Sequence, residues 1–169
     1  MLGCEFISDE HRTAIEGFQC SDEVSVANFL KEQAFGLHHV NSAITRLYFD
    51  SNRNLVGYFT LYNDMVSINN DLRKKHDLLH MPRIKYLLAV KLHYLGVDDR
   101  YRKQGMGKYL LLEALDVVFQ ISKNSGCNFM TIESLQSSYE FYLKHGFKHH
   151  ERNNNGYINM FFNLDELDD

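Results

Sequence analysis

Proline occurs once in the chain, at Pro82, tryptophan is absent, and cysteine is limited to Cys4, Cys20 and Cys127. With no Pro-, Gly- or Ser-rich stretch there is no linker, and with no repeat or low-complexity segment there is no sign of a solenoid or a disordered tail. An odd, widely spaced cysteine set without a Cys-x-x-Cys pair supports neither a disulfide framework nor a zinc site, and predicts buried, reduced thiols. No apolar run reaches the ~20 residues needed to cross a bilayer. The opening Met1-Leu2-Gly3-Cys4-Glu5-Phe6 has no basic region followed by an apolar stretch, so a cytosolic protein without membrane contact is expected.

What is present has the balance of a globular domain. The chain is 169 residues long, 44% hydrophobic and 24% charged, which suits one domain over 1–169 with one core. A net charge of −4 gives no general attraction to nucleic acid. The charge is uneven, however: residues 71–108 hold ten Lys or Arg and four Asp, so that window is +6 and the remainder −10. A polyanion could dock there, although a solvated basic face is the plainer reading for any single side chain.

Ser21-Asp22-Glu23 places a capping residue and two acids before an apolar pattern that predicts a helix to about residue 35. The stretches 43–49 and 55–62 are rich in β-branched and aromatic residues and flank the turn 51–54, which predicts an antiparallel hairpin. A polar, basic stretch at 69–77 precedes a long strand over 84–97. Leu111, Ala114, Leu115 and Val118 recur at helical spacing from Met106 to about Lys123, with Gly126 as a stop signal. A strand over 128–133, a short helix over 138–145 behind the capping pattern Ser137-x-x-Glu140, and a hairpin around Asn153-Asn154-Asn155-Gly156 complete the order. This is a mixed α/β or α+β domain.

The most informative segment is Leu95-Gly96-Val97-Asp98, followed after three residues by Arg102-Lys103-Gln104-Gly105-Met106-Gly107-Lys108. A strand enters a basic loop, two glycines follow, and a helix starts at once. Glycines let backbone approach a ligand without a Cβ in the way, and the free N–H groups of a helix N-terminus attract phosphate. Leu110 stands where a Rossmann fingerprint needs a third glycine, and Tyr109 where a P-loop needs Ser or Thr. Neither NAD binding nor ATP hydrolysis fits.

Read as Arg102-x-x-Gly105-x-Gly107 after its strand, the segment closely resembles the acetyl-coenzyme A signature of the GCN5-related (GNAT) N-acetyltransferases. The resemblance implies one GNAT-like domain, with a mixed, mostly antiparallel sheet flanked by helices and splayed central strands. It implies that backbone N–H groups from Gln104 to Lys108 bind the coenzyme pyrophosphate, and that Leu95-Gly96-Val97 pairs with the pantetheine arm. Phe141-Tyr142-Leu143-Lys144-His145-Gly146-Phe147 is similar to the family's second landmark, whose tyrosine sits near the coenzyme sulfur. There a phenol can protonate the thiolate that amine attack expels, so Tyr142 is the candidate general acid. For the base the residues offer His93, with Glu133 and Tyr94 as alternatives on strands leading to the expected cleft. His76 and His80 are spaced i, i+4 but lack the Glu of a zinc-protease helix; they are expected to face solvent, and no metal site is supported.

Phe18-x-Cys20 ahead of Asn28-Phe29-Leu30, then 56–62, resembles the N-terminal half of the bacterial toxin-type acetyltransferases. Those enzymes acetylate the α-amino group of aminoacyl-tRNA and are neutralised by a small antitoxin. The resemblance therefore implies acetyl-coenzyme A and an amine as substrates, with tRNA and an antitoxin as partners; whether the chain forms a homodimer stays open. A small-molecule amine or a protein N-terminus stays open as acceptor, as does a coenzyme-binding module without turnover.

Overall fold

Aromatic and β-branched residues at alternating positions form the hairpin expected of them. Strand β2 (Ile44–Phe49) pairs antiparallel with β3 (Leu55–Val66), and the edge strand β1 (Gly3–Phe6) pairs antiparallel with β2. Strand β4 (Leu87–Val97) leads through the loop into helix α5 (Met106–Ser125), which returns the chain to β5 (Phe129–Ser134). Strand β6 (Lys148–Arg152) and β7 (Ile158–Asn163) follow. Together they form a seven-stranded mixed sheet in the order β1-β2-β3-β4-β5-β7-β6. The computed structural model describes residues 2–153 and 155–167. Asn154, within the predicted final turn, lies outside them; of that turn, Asn153 Oδ1 accepts from the N–H groups of Asn155 and Tyr157.

Two compact units divide the chain, one of Met1–Tyr62 and Leu92–Asp116 and the other of Asn63–Lys91 and Val117–Asp169. In the first, Phe18, Phe29, Leu30, Leu47, Phe49, Leu55 and Tyr58 are buried in one apolar cluster with α1 (Arg12–Glu16) and α2 (Val24–Glu32). The buried polar groups here find partners: Tyr58 donates its hydroxyl to Val26 O at 2.6 Å, and the cross-strand pair Thr45 and Thr60 share a hydroxyl hydrogen bond of 2.8 Å. In the second, Val66, Ile68, Leu78, Met81, Leu87, Phe129 and Phe161 form the cluster. Buried Arg73 on α4 (Asn70–Lys75) donates to Ile68 O and Met81 O, both at 3.2 Å, and ties the chain on either side of the helix together.

Several local expectations are corrected. The predicted first helix stops at Glu32, where Gln33 leaves helical geometry, and α3 (Ala34–His39) follows as a separate piece. Ser21 caps no helix, because its N–H and hydroxyl are both given to Asp99. The basic stretch 69–77 contains α4, capped by Asn69, whose side chain accepts from Leu72 N–H at 2.9 Å. Helix α6 (Tyr139–Lys144) starts behind Ser138, whose hydroxyl turns back to Leu135 O, so the capping pattern read at Ser137 is not made. Of the thiols, Cys20 is buried and Cys127 partly so, but Cys4 is exposed on the edge strand. Among the described residues no helix is long and apolar enough to cross a membrane.

Candidate functional site

Alternation along β4 turns Gly96 inward and leaves Leu95 and Val97 partly exposed. Gly96 is a glycine for a packing reason: a Cβ there would stand 2.5 Å from Val26 Cγ1 and 2.8 Å from Tyr58 Cε1. Beyond Val97, Asp98 is buried, and Oδ2 accepts from Gln19 N–H at 3.1 Å while Oδ1 takes both the backbone N–H and Nε of Arg100. Asp99 accepts from Ser21, and those hydrogen bonds hold its carboxyl below the usual carboxylate range. These two carboxylates pin the short 3-10 turn Asp99–Tyr101 that starts the loop. Sequence reasoning missed their role; the doubled Asp98-Asp99 directly after a strand was the available signal.

Past that turn the backbone becomes left-handed at Lys103 (φ 60°) and again at Gly105 (φ 79°), and α5 begins at Met106. Nothing lies within 4 Å of a Cβ built on Gly105, so the space above it is open. Tyr109 N–H to Gly105 O, at 3.0 Å, is a first-turn bond of the helix. The N–H groups of Met106, Gly107 and Lys108 precede it, the class of donor that a helix leaves without an internal acceptor. Left-handed residues next to helical ones turn successive N–H groups into a concave anion cradle, and the dipole of a 20-residue helix adds to it. These features fit a pyrophosphate. Lys103 and Lys108 are exposed at this place. Arg102 is not free charge: it is ion-paired with Asp22 and lies 3.8 Å from Asp99. Gln104 gives its side-chain N–H to Arg100 O.

His93 belongs to the same unit and sits among rings, with Phe29 and Tyr62 each 5.0 Å away between centroids and Tyr94 4.7 Å away. Tyr94 stacks on Phe29 at 4.1 Å. Glu133 and Tyr142 fall in the other unit. Glu133 meets Lys91 at 2.8 Å, and Tyr142 is partly buried with the rings of Phe141 and Phe147 edge-on to it. Burial pushes the Tyr142 phenol up to about 12. His76 does not face solvent as expected. It is partly buried with Phe161 edge-on at 5.3 Å, and its Nε2 has no hydrogen-bond partner among the described residues. His80 is exposed near Asp165, and α4 ends at Lys75, so the i, i+4 spacing of the two histidines is not helical.

The GNAT acetyltransferase domain family matches residues 50–149, more than half of the chain and the whole of the strand, loop and helix just described. The chain belongs to this family. Among curated proteins, a glucosamine 6-phosphate N-acetyltransferase of Trypanosoma brucei brucei is 39% identical over 56 residues, 33% of this chain. That match spans 35% of the relative's own length. Solved structures are similar over nearly the full chain. A tyrosine-to-phenylalanine mutant of KacT superposes with a TM-score of 0.82 at 25% identity, covering 99% of this chain and 97% of that one. AtaT complexed with acetyl-methionyl-tRNAfMet gives 0.82 at 22% identity, covering 99% and 98%. A structure described as a bacterial toxin gives 0.83 at 17% identity, covering 99% and 93%. At such identities the last two likenesses show the fold.

Proposed function

We propose that this chain is an acetyl-coenzyme A-dependent N-acetyltransferase whose acceptor is the α-amino group of aminoacyl-tRNA. The observation that carries the coenzyme half is the left-handed, open Gly105 at the head of α5. The acceptor half is supported by the full-length likeness to AtaT, which was solved with an acetylated aminoacyl-tRNA. Bound acetyl-coenzyme A supplies an activated thioester. The chain's own part is to hold the pyrophosphate on the N–H groups of residues 104–108, with Arg102, Lys103 and Lys108 beside it, and to pair the pantetheine arm along Leu95-Gly96-Val97.

Tyr142 donates a hydrogen bond to the sulfur as charge develops on it. A phenol pushed up to about 12 stays protonated at neutral pH, and a thiol of pKa about 8.5 is the stronger acid. The equilibrium therefore keeps the proton on Tyr142, and the gain comes from a donor aimed at the thiolate more than from completed transfer. His93 is the base, taking the amine proton directly or through water. A small antitoxin is the expected protein partner, since AtaT has been solved with the C-terminus of the antitoxin AtaR.

A second reading, with a phosphorylated amino sugar as acceptor, is favoured by the 56-residue stretch shared with the glucosamine 6-phosphate enzyme. One experiment separates the two. Radiolabelled acetyl-coenzyme A is incubated with the purified chain and either charged tRNA or glucosamine 6-phosphate. Label is expected on the aminoacyl group; label on the sugar alone supports the second reading, and coenzyme binding without transfer to any amine refutes both.

A further inference from the structure

Away from the coenzyme loop, the first unit brings a serine, a histidine and a carboxylate into line. Strand β1 ends at Phe6, buried Ile7 gives its N–H to Thr45 O at 3.1 Å, and the extended Ser8 leads into the short 3-10 turn Asp9–His11. Ser8 Oγ lies 3.1 Å from His11 Nδ1, and His11 Nε2 lies 2.9 Å from Glu5 Oε2. The imidazole is buried against Phe49, with ring centroids 5.3 Å apart, while Ser8 is partly exposed. Arg53 is ion-paired with Glu5, and the hydrogen bonds from Arg53 and His11 hold that carboxyl down to about 2.

The hydrogen bonds decide which ring nitrogen carries the proton. Ser8 N–H also donates to His11 Nδ1, at 3.1 Å. A backbone N–H can only donate, so Nδ1 holds the lone pair, and the ring proton sits on Nε2, where Glu5 accepts it. A basic nitrogen therefore faces a serine hydroxyl, and an ionised carboxylate lies behind the ring. Those are the roles of nucleophile, base and orienting carboxylate in a serine, histidine and carboxylate triad, here with the two ring nitrogens exchanged. The backbone bond by itself is a capping arrangement for the turn. A cap needs nothing on Nε2 beyond a neutral acceptor; an ionised carboxylate there stabilises the imidazolium that forms when the ring takes a proton.

We propose that Ser8 is a covalent acylation site, a nucleophile that takes acyl groups from small, uncharged, activated esters with His11 as its base and Glu5 as positioning residue. Ser8 Oγ attacks the ester carbonyl and its proton passes to His11 Nδ1. The carbonyl carbon then loses its bond to the leaving oxygen, which departs with that proton, so the acyl group ends on Ser8 Oγ and His11 returns to its neutral form. Water activated by the same nitrogen restores the serine and releases the acid. Two features set the substrate class. Exposed Asp9 and Glu10 follow the serine against one nearby cation, Arg12, so the surroundings are net negative and disfavour an anionic donor such as a coenzyme thioester. A phenolate leaving group needs little protonation to depart, so an aryl acetate asks least of the base.

The test incubates the full chain, without coenzyme, with p-nitrophenyl acetate at neutral pH, quenches in acid and maps the acetylated peptides by mass spectrometry. Acetyl on Ser8 is expected in excess of that on Ser25, an exposed serine whose hydroxyl bonds the Glu23 carboxylate directly at 2.7 Å. The Ser8 adduct should vanish in urea, where the three groups separate, while acylation of surface lysines persists. Ser8→Ala should abolish that adduct and its share of p-nitrophenol release, and leave acetyl-coenzyme A affinity unchanged. His11→Asn should slow acylation about 10²-fold or more. Glu5→Gln keeps an acceptor for Nε2–H and removes only the charge, so kcat should fall about ten-fold at unchanged KM, whereas a purely structural carboxylate would leave kcat alone. Circular dichroism checks that each variant is folded. Ser8 acetylated no more than Ser25 in the parent, or a Ser8 adduct that survives urea or forms at the parent rate in folded His11→Asn, overturns the proposal; the parent and urea results decide it even where His11→Asn does not fold.

Discussion

His76 is held in its neutral form by where it lies. Burial lowers its pKa from 6.5, and Lys75 and Lys148 add to the shift. With the folded value below the unfolded one, titration of this ring takes nothing from stability above pH 6.5. As pH falls through that value the unfolded chain takes up the proton first, so stability is lost on the acid side. His38, lowered chiefly by its own burial, acts with the same sign. His76→Phe should therefore lose less stability than the parent between pH 7 and pH 5, read as the urea midpoint at each pH; parallel losses would contradict this. Tyr142→Phe keeps the ring that packs on Phe147 and removes only the donor. Its kcat should fall about 10²–10³-fold, as for a lost oxyanion-type donor, with coenzyme affinity unchanged; a kcat within a few-fold of the parent would return Tyr142 to a packing role. Gly96→Ala drives a methyl into Val26 and Tyr58, so a loss of roughly 1–3 kcal/mol is expected by chemical denaturation. Tyr142 could be singled out from the sequence because it sits inside a recurring motif. The reason for Gly96 could not, since Val26 lies seventy positions away and only the fold brings it near.

The loop at the head of α5 makes the most direct claim on the coenzyme. Gly105→Val should weaken acetyl-coenzyme A binding by ten-fold or more in calorimetry, because a β-branched residue at φ 79° is strained and fills space now open. Undiminished affinity in a folded variant would remove Gly105 from the cradle. Helix α5 was readable because its apolar stripe, Leu111, Ala114, Leu115 and Val118, is buried as spaced, and Gly126 at φ 50° follows its last residue. Strand β1 carried no such signal, being an edge strand exposed at three of its four residues. Helix α4 was hidden for a related reason: its one buried residue is Arg73, a charge that hydrophobic patterning reads as surface.

Overall the chain is acidic, and its basic window is less available than a count suggests. Within 71–108, Arg73 is buried, Lys91 faces Glu133, Arg100 pairs with Asp98 and Arg102 with Asp22. Lys74, Lys75, Arg83, Lys85, Lys103 and Lys108 remain exposed. A tRNA complex should accordingly show a modest salt slope, and Lys→Ala or Arg→Ala at positions 74, 75, 83 and 85 should reduce it by about one for each phosphate left without its cation. A slope unaltered by all four changes would place the nucleic acid elsewhere. The anchoring of the loop by Asp98 and Asp99 adds a consequence in time. Their partners Gln19 and Ser21 lie 79 and 78 positions earlier, so the loop takes its shape only by closing a long stretch of chain, one of the slower events in folding. On the ribosome Gln19 and Ser21 must wait for these two partners until the residues after β4 have emerged. During refolding, helical circular dichroism should return before the ability to hold coenzyme does.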